Sequence, residues 1–418
     1  MVTFVVAMVK FLYCKQYIRQ MKFAHLADCH LGSWREPKLK ELNSRAFEKA
    51  VDICIKEKVD FILISGDLFN TSIPSIDVLR ETVVKLKKLK DLNIQVYTIA
   101  GSHDFSPSGK TMLDVLEQAG LVKNIAKATE ENGKLRLIFT KDNKTGAKIA
   151  GMIGKKGMLE KSYFKAIDKE SLEREKGFKI FMFHTALDEL KPKELEKMDS
   201  APISLLPKGF DYYAAGHVHV RMEKSLSGYK NIIYPGPLFP NNFSELEKET
   251  GGFYIYDNGK IEFKPINIIN VHAVEIDCNH KVPEQITSEV LSKIQNKEFL
   301  NTIVLLRLYG TLESGKTSEI DFKEIFNQLN EKNAYFVMKN TNKLETKEFE
   351  EVKVSTSNIE EIESNLIKEN IGQIEINMPE EKLIYNLMRV INTEKEEGEL
   401  NRDFEERLKK ELNQVFDL

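Results

Sequence analysis

The sequence is poor in cysteine and lacks a long apolar run. Its four cysteines, Cys14, Cys29, Cys54 and Cys278, are scattered over 418 residues, and no two of them form a C-x-x-C pair. This spacing argues against a disulfide framework and against a structural zinc site, and it favours a reducing compartment. No stretch reaches the ~18 apolar residues that cross a membrane. We therefore expect a cytoplasmic protein with no membrane partner.

Net charge is also small, at −3, but it is unevenly distributed. Residues 346–418 contain 10 Lys/Arg and 19 Asp/Glu, a net of −9, so residues 1–345 carry +6. A mildly basic body is compatible with a nucleic-acid substrate. An excess of this size is equally typical of a solvated surface, so charge alone does not decide between the two.

The length and the order of sequence patterns predict two or three domains. Strand and helix patterns alternate over residues 21–264, and the later part of this range is rich in strands, including Lys134–Thr140 and Lys179–His184. This mixture predicts an α/β body in which a β-sandwich is flanked by helices, four layers in all. Residues 265–345 predict a smaller α/β domain, with helices at Ser288–Gln295 and Phe322–Gln328.

The two ends of the chain differ from this body. Residues 1–20 contain an apolar run broken by Lys10, without the basic start or cleavage site of a signal peptide, and predict an upstream extension of no catalytic importance. Residues 346–378 are polar and predict a linker. Residues 379–418 predict two amphipathic helices, with apolar stripes that include Leu383, Leu387, Phe404, Leu408, Leu412 and Phe416. Such helices have too little core to stand alone, so they pack on the body or, as the linker favours, dock on a partner.

Five short segments contain acidic or imidazole side chains. They are Asp28-Cys29-His30, Gly66-Asp67, Gly101-Ser102-His103-Asp104, His184 and Gly216-His217-Val218-His219. Three of the segments follow runs that predict buried strands, at residues 23–27, 61–65 and 96–100. The carboxyl ends of parallel strands are where open α/β sheets build their sites. We therefore expect these side chains to converge.

The residue types suggest a pair of divalent ions. Hydrolysis of a phosphodiester needs a hydroxide nucleophile and a counter-charge for the phosphoryl oxygens, and two ions about 3.5–4 Å apart supply both. Carboxylates and imidazoles suit Mn²⁺, Fe²⁺ or Zn²⁺. In an extended segment, residues two apart share a face, so Asp28 and His30 should bind one ion together, and His217 and His219 should share a face likewise. Asp67 is placed to bridge both ions.

Each segment alone has an ordinary structural explanation. An isolated Asp at a strand end is often a helix cap or turn former, and His184 after an apolar run is typical of a satisfied buried histidine. The occurrence of all five segments in one order, at strand ends, favours a two-metal phosphoesterase.

With these segments in hand, the sequence resembles the calcineurin-like metallophosphoesterases. It is most similar to their branch in DNA double-strand-break repair, the Mre-eleven (meiotic recombination eleven) nucleases, whose bacterial relative is SbcD. The resemblance rests on residues 23–32 (FAHLADCHLG), 64–69 (ISGDLF) and 234–236 (YPG), and together with the other segments it covers about residues 21–262.

The resemblance implies a metallophosphoesterase fold and a Mn²⁺-dependent nuclease that cuts duplex ends 3′ to 5′ and nicks single strands. Mg²⁺, Fe²⁺ and Zn²⁺ stay open as alternatives. It also implies that residues 265–345 cap DNA, and that residues 379–418 bind an SMC-like coiled-coil ATPase of the Rad-fifty type. The family forms homodimers through helices that correspond to residues 75–89 and 111–119.

Site roles follow from the same resemblance, residue by residue. The positions that match metal ligands are Asp28, His30, Asp67, His184, His217 and His219, and His103 matches the catalytic histidine. Ser102 stands where the family usually has a metal-binding Asn, and it is a shorter and weaker candidate ligand. Asn70 stands where relatives often have His, which removes the basis for a substrate-positioning side chain there.

Two other functions fit part of these observations. A phosphomonoesterase or nucleotidase would use the same metal core but would need neither the small domain nor the tail helices. A non-catalytic scaffold would be expected to have lost several ligands, whereas only the Asn position differs here.

Overall fold

Two six-stranded sheets form the centre of the fold. The computed structural model describes residues 21–106, 111–154, 160–248, 250–346, 380–391, 393 and 401–415. In chain order the strands are β1 (Lys22–Leu26), β2 (Phe61–Ser65), β3 (Gln95–Ile99), β4 (Lys123–Asn124), β5 (Ala128–Glu131), β6 (Lys134–Leu137), β7 (Thr140–Lys141), β8 (Lys148–Gly151), β9 (Lys179–His184), β10 (Tyr212–Gly216), β11 (Met222–Leu226), β12 (Tyr229–Tyr234), β13 (Gly252–Asp257), β14 (Lys260–Pro265), β15 (Asn270–Asp277), β16 (Thr302–Leu312) and β17 (Phe336–Thr346). One sheet has the strand order β14-β13-β1-β2-β3-β4 and the other β11-β12-β10-β9-β8-β7.

Helices surround the sheets. They are α1 (Pro37–Lys56), α2 (Ile76–Asp91), α3 (Met112–Gln118), α4 (Glu160–Ala166), α5 (Lys169–Arg174), α6 (Phe243–Lys248), α7 (Pro283–Ile294), α8 (Phe322–Glu331), α9 (Glu380–Ile391) and α10 (Asn401–Val415). Short 3₁₀ turns occur at Asp188–Leu190, Lys193–Leu195, Ile203–Leu205 and Thr317–Glu319.

The space between the two sheets is filled mainly by aromatic and branched side chains. Phe23 and Phe61 of the first sheet stack at 5.0 Å between ring centroids, and Tyr212 of the second sheet meets the Phe23 ring edge-on. All three are fully buried, together with Ile180 and Met182. Since strands β1, β2 and β9 are apolar on both faces, each sheet can also bury its outer face under helices.

The outer faces carry the helices that complete the four layers. Helix α1 begins with Pro37, which is suited to a first helical position, and buries one stripe that includes Leu42, Phe47 and Val51 in the core under the first sheet. On the outer face of the second sheet, Phe164 of α4 packs in a separate core. The predicted fold, a β-sandwich flanked by helices, is confirmed.

A third sheet, β15-β16-β17, is entirely parallel. One face packs against α7 and α8 through residues such as Ile286 and Ile325. The other face contributes Ile303 and Leu305 to the core under the first six-stranded sheet. We call β15–β17 with α7 and α8 the small unit. The domain boundaries at residues 264 and 345 stay predictions.

Some element predictions were wrong. The segment predicted as a single strand at Lys134–Thr140 contains the separate strand β6 and the start of β7. Strand β6 pairs with β5 in a two-stranded hairpin. Its turn is Asn132-Gly133, with φ of +54° and +71°, the pair that two-residue hairpins favour. Helix α7 starts at Pro283 rather than Ser288. Strands β4, β5, β11 and β14 were not among the predicted strands.

The two tail helices pack against each other. Leu383 is buried, whereas Leu387, Phe404, Leu408 and Leu412 are half-buried. Their predicted role in partner binding stays a prediction. Residues 1–20, the linker from residue 347 onward, and Phe416 lie outside the described residues.

Candidate two-metal site

The five polar segments meet at one edge of the sandwich. Strands β1, β2 and β3 are parallel neighbours, as are β9 and β10, so their carboxyl ends lie together. Asp28 and His30 follow β1, Asp67 follows β2, and Ser102 to Asp104 follow β3. His184 ends β9, opposite Gly216 at the end of β10, and His217 and His219 come directly after.

Three groups of side chains in the described residues have ligand atoms within 4.8 Å of one another. They are Asp28-His30-His219, His30-Asp67-His103 and Asp28-Asp67-His184. Asp28, His30 and Asp67 each belong to two groups, so the three groups form one continuous cluster. Within the described residues His217 joins no such group, although its ring centroid is 5.2 Å from that of His184.

The backbone turns sharply at the site residues. The φ angle is +49° at Asp28, +43° at His30, +52° at Asp67 and +86° at His217. The expectation that Asp28 and His30 share the face of an extended segment was therefore wrong, and so was the same argument for His217 and His219. Asp28 and His30 converge because the loops after β1 and β2 are bonded together, with His30 N–H donating to Asp67 O at 2.9 Å.

Backbone and carboxylate acceptors fix the tautomer of two imidazoles. The Nδ1 of His184 lies 2.8 Å from the carbonyl oxygen of Ser65, and the Nδ1 of His219 lies 2.9 Å from Glu245 Oε1. Because these oxygens can only accept, each Nδ1 donates and each Nε2 is left free to bind a cation.

The free nitrogens point at one another or at carboxylates. His30 Nε2 and His219 Nε2 lie 3.0 Å apart, an arrangement that needs a proton or a metal ion between them. His184 Nε2 lies 3.1 Å from Asp67 Oδ2. Neither this nitrogen nor the buried His30 Nδ1 has a hydrogen-bond partner in the part of the chain that the structure describes. Orphaned imidazole nitrogens beside carboxylates are the chemistry of a divalent metal site, so the residues fit such ions.

Burial and neighbouring charges move the pKa values of the buried site groups away from their ordinary ranges. Burial lowers the pKa of His30 to about 3, despite the nearby Asp67. Burial acts the same way on His184, but Asp67 and then Asp28 outweigh it and raise its pKa to about 10. Burial also raises the pKa of Asp28. The two carboxylates thus favour a positive charge at His184.

His103 lies beside these groups in a different setting. Its backbone N–H donates to Asp67 Oδ1 at 2.7 Å, and its Nδ1 donates to the carbonyl oxygen of Asn70 at 2.9 Å. Its Nε2 is therefore the atom available for proton transfer. The Asn70 contact uses the backbone, so it does not depend on the side chain at that position. Ser102 donates its hydroxyl to Asp67 Oδ2 at 3.4 Å, a long bond.

Comparison with known proteins agrees with this geometry. Residues 21–221 match the family described as calcineurin-like phosphoesterase. The DNA double-strand break repair protein Mre11 of Methanocaldococcus jannaschii is 30% identical over 294 residues, 66% of this chain and 73% of the relative. The protein of that name from Saccharolobus solfataricus is 31% identical over 302 residues, 68% of this chain and 75% of the relative. This chain belongs to the Mre-eleven family.

A third Mre11, from Methanococcus maripaludis, is 28% identical over 372 residues, 83% of this chain and 91% of the relative. A member of the Mre-eleven family with this site is a metal-dependent phosphodiesterase of the nuclease type that binds two divalent metal ions. Within the described residues, no helix is long and apolar enough to cross a membrane.

Sequence reasoning assigned no role to two acidic residues that support the site. Asp104 is buried and accepts hydrogen bonds from three backbone N–H groups, those of Leu68, Phe69 and Gly101, which ties the loops after β2 and β3 together. Glu245 accepts from His219. The N-N-x-x-E pattern at residues 241–245 signals a helix start. It does not reveal that the glutamate reaches a histidine 26 positions away.

Proposed function

We propose that the protein is a Mn²⁺-dependent DNA nuclease, a 3′-to-5′ exonuclease on duplex ends and an endonuclease on single strands, that processes DNA double-strand breaks. The observation that carries the proposal is the set of three overlapping ligand groups at the ends of five strands. Membership of the Mre-eleven family supports DNA as the substrate. We also keep the prediction that it acts in the cytoplasm, on DNA.

Each ion has a proposed set of ligands. Asp28, His30 and His219 would hold one, and His184 and His217 the other, with Asp67 between them and Ser102 as a candidate ligand of the second. When bound, the ions supply a nucleophile at neutral pH and neutralise charge on the phosphoryl oxygens.

His103 is the proposed catalytic residue. Its Nδ1 is committed to the Asn70 carbonyl, so its Nε2 can carry a proton to the departing oxygen or stabilise the phosphate. Its ring lies next to that of His30, at 4.8 Å between ring centroids, and it shares a ligand group with His30 and Asp67.

The test compares two substrates and three variants. Wild-type protein with Mn²⁺ should release nucleotides from the 3′ ends of linear duplex DNA, should do so much faster than it hydrolyses a small aryl phosphate, and should do neither in EDTA. Asp28→Ala should lose Mn²⁺ binding and cleavage together. His103→Ala should keep Mn²⁺ binding, measured by calorimetry, while cleavage falls by about 10²–10⁴.

His280→Ala is the matched control, because the His280 side chain is 86% exposed and outside the site; it should change neither quantity. Efficient turnover of the aryl phosphate without DNA cleavage would favour a phosphomonoesterase. Loss of Mn²⁺ binding in His103→Ala would overturn the division of roles.

We further propose a homodimer built on α2 and α3. Large apolar side chains are exposed on and next to these helices, with Ile76 83% exposed, Ile73 77% and Val115 55%. Ile76→Glu should shift the protein to monomer in light scattering. Leu300→Glu is the control, because Leu300 is 69% exposed and lies between α7 and β16, outside α2 and α3. An unchanged mass for Ile76→Glu would move the interface elsewhere.

The tail helices are the proposed docking site for an SMC-like ATPase of the Rad-fifty type. Removal of residues 379–418 should abolish binding to such an ATPase and leave cleavage of short DNA intact. A charge on the half-buried stripe, as in Leu387→Glu, should be enough, because a buried charge is costly to desolvate. Tight binding by the truncated protein would place the partner site on the body.

A further inference from the structure

Helix α6 contacts the metal site on one side and the small unit on the other. On one side Glu245 accepts a hydrogen bond from His219 Nδ1 at 2.9 Å. On the other side, two residues along the same turn, Glu247 accepts two bonds from Arg307 of β16, at 2.8 Å from Nε and 2.7 Å from Nη2. A single helical turn thus joins a proposed metal ligand to a part of the protein 60 residues further along the chain.

The contact on the metal side is firmly held. The Glu245 side chain is 15% exposed, its Oε2 accepts from the backbone N–H of Asn241 at 2.8 Å, and its Oε1 also accepts from the Asn242 amide. A carboxylate so fixed keeps the proton of His219 on Nδ1 and directs Nε2 at the site. Acceptors of this kind orient metal-binding histidines and increase their basicity.

The contact on the small-unit side is equally specific. The side chains of Arg307 and Glu247 are 16% and 10% exposed, and the guanidinium also lies over the ring of Phe243 at 4.9 Å from its centroid. A bidentate ion pair that is largely shielded from solvent is stronger and more directional than an exposed ion pair. Arg307 therefore contacts α6 at Phe243, its first residue, and at Glu247, its fifth.

We propose that α6 couples the position of the small unit to the hold on the metal ion at His219, with Glu245 as a positioning residue. A shift of the small unit pulls on Arg307, turns the six-residue helix, and changes the direction of the Glu245 acceptor. The proposal rests on the proposed role of His219 as a metal ligand, and it concerns metal affinity rather than the cleavage step.

Tyr335 offers a matched control at the same boundary. Its hydroxyl donates to the carbonyl oxygen of Lys38 on α1 at 3.2 Å, so it also joins the small unit to the body, but it does not involve α6. Tyr335→Phe removes one bond between the two parts and leaves the Arg307-Glu247 pair in place.

The experiment measures Mn²⁺ affinity in the full chain, with the free ion followed by electron paramagnetic resonance and with no DNA present. Glu245→Gln should weaken binding of the ion at His219 by about 10–100-fold, the usual effect of altering such an acceptor, because the amide has no negative charge and only one accepting oxygen. Arg307→Gln should weaken it by several-fold, Arg307→Lys by less, and Tyr335→Phe not at all. In the Glu245→Gln background, Arg307→Gln should add nothing, because its effect passes through Glu245.

The outcomes separate the proposals. If His219→Ala leaves Mn²⁺ affinity unchanged, the ligand assignment fails. Melting temperatures are recorded for every variant. If His219→Ala weakens Mn²⁺ binding but neither Arg307→Gln nor Arg307→Lys does, the coupling is overturned. Fully additive effects of Arg307→Gln and Glu245→Gln would overturn it as well, since they would act by separate routes.

Discussion

His25 in the sandwich core should make the folded protein sensitive to acid. Its side chain is fully buried, with Nδ1 3.0 Å from the Tyr212 hydroxyl and Nε2 2.9 Å from Ser65 Oγ. The Ser65 hydroxyl donates to Ala214 O at 3.0 Å, so it must accept from His25 Nε2. Nδ1 then accepts from Tyr212. This chain of donors is complete only when the imidazole is neutral.

The size of the effect follows from the pKa. Burial, offset in part by the backbone of Ala215, lowers the pKa of His25 from 6.5 to about 3. Between about pH 6.5 and pH 3, His25 is protonated in the unfolded chain but neutral in the folded protein. The free energy of unfolding therefore falls as the pH decreases over this range. One pKa unit corresponds to about 1.4 kcal/mol, so this residue should cost about 2 kcal/mol at pH 5 relative to pH 7.5.

The assay is urea unfolding of wild type and His25→Gln at pH 7.5 and pH 5, in EDTA. The variant keeps a donor toward Ser65 but cannot titrate. Between pH 7.5 and pH 5, the free energy of unfolding should fall by about 2 kcal/mol less in the variant than in wild type, whatever the variant's stability at pH 7.5. His280→Gln, a substitution at an exposed histidine, is the control. Parallel pH dependences for wild type and His25→Gln would refute the neutral relay.

Three further predictions concern the loops of the site. Ser102→Asn should lower the Mn²⁺ concentration for half-maximal cleavage by up to about tenfold, the equivalent of ~1.4 kcal/mol, because an amide carbonyl reaches farther than a hydroxyl; overlaid activity curves would remove Ser102 from the metal site. Asp104→Asn should reduce the free energy of unfolding by about 1–3 kcal/mol, since its amide cannot accept from all three N–H groups, and an unchanged urea midpoint would contradict this. Gly216→Ala should lose Mn²⁺ binding, because its Cβ would overlap the Ser65 carbonyl. Gly259→Ala should lose stability, because its φ of +96° strains any side chain, but it should keep Mn²⁺ binding, because the space around it is open and it lies outside the site. Retained binding in Gly216→Ala would show that the strand ends can separate.

Much of the fold was predictable because its strands are buried on both sides. The segment from Lys179 to His184 coincides with β9, because a short uninterrupted apolar run bounded by polar residues is typical of a strand buried on both faces. Its last residue, His184, could then be placed at a strand end. The edge strands β11 and β14 escaped prediction because their exposed faces are charged and give no apolar run.

The supporting residues of the site were beyond sequence reasoning for a different reason. Glu245 and Arg307 belong to ordinary patterns, a helix start and an apolar strand with one charge. Their roles depend on which elements the fold brings together, over 26 and 60 positions of the chain. A histidine that binds metal needs an acceptor for its other nitrogen. That requirement predicts that such a residue exists but not which one it is.

The sharp turns at the site explain why the predicted ligand residues converge even though the face-sharing argument for them was wrong. Residues with positive φ cost roughly 1–3 kcal/mol each unless the surroundings hold them. At Gly66-Asp67 and Gly216-His217, a glycine without Cβ lets the His184 ring approach, and the next residue then turns its side chain into the site. Asp28 is held in its turn by the N–H of His217, 3.0 Å from its Oδ1. The segments are therefore recognisable by residue type and order, while the convergence of their side chains is a property of the loops between strands and helices rather than of strand alternation.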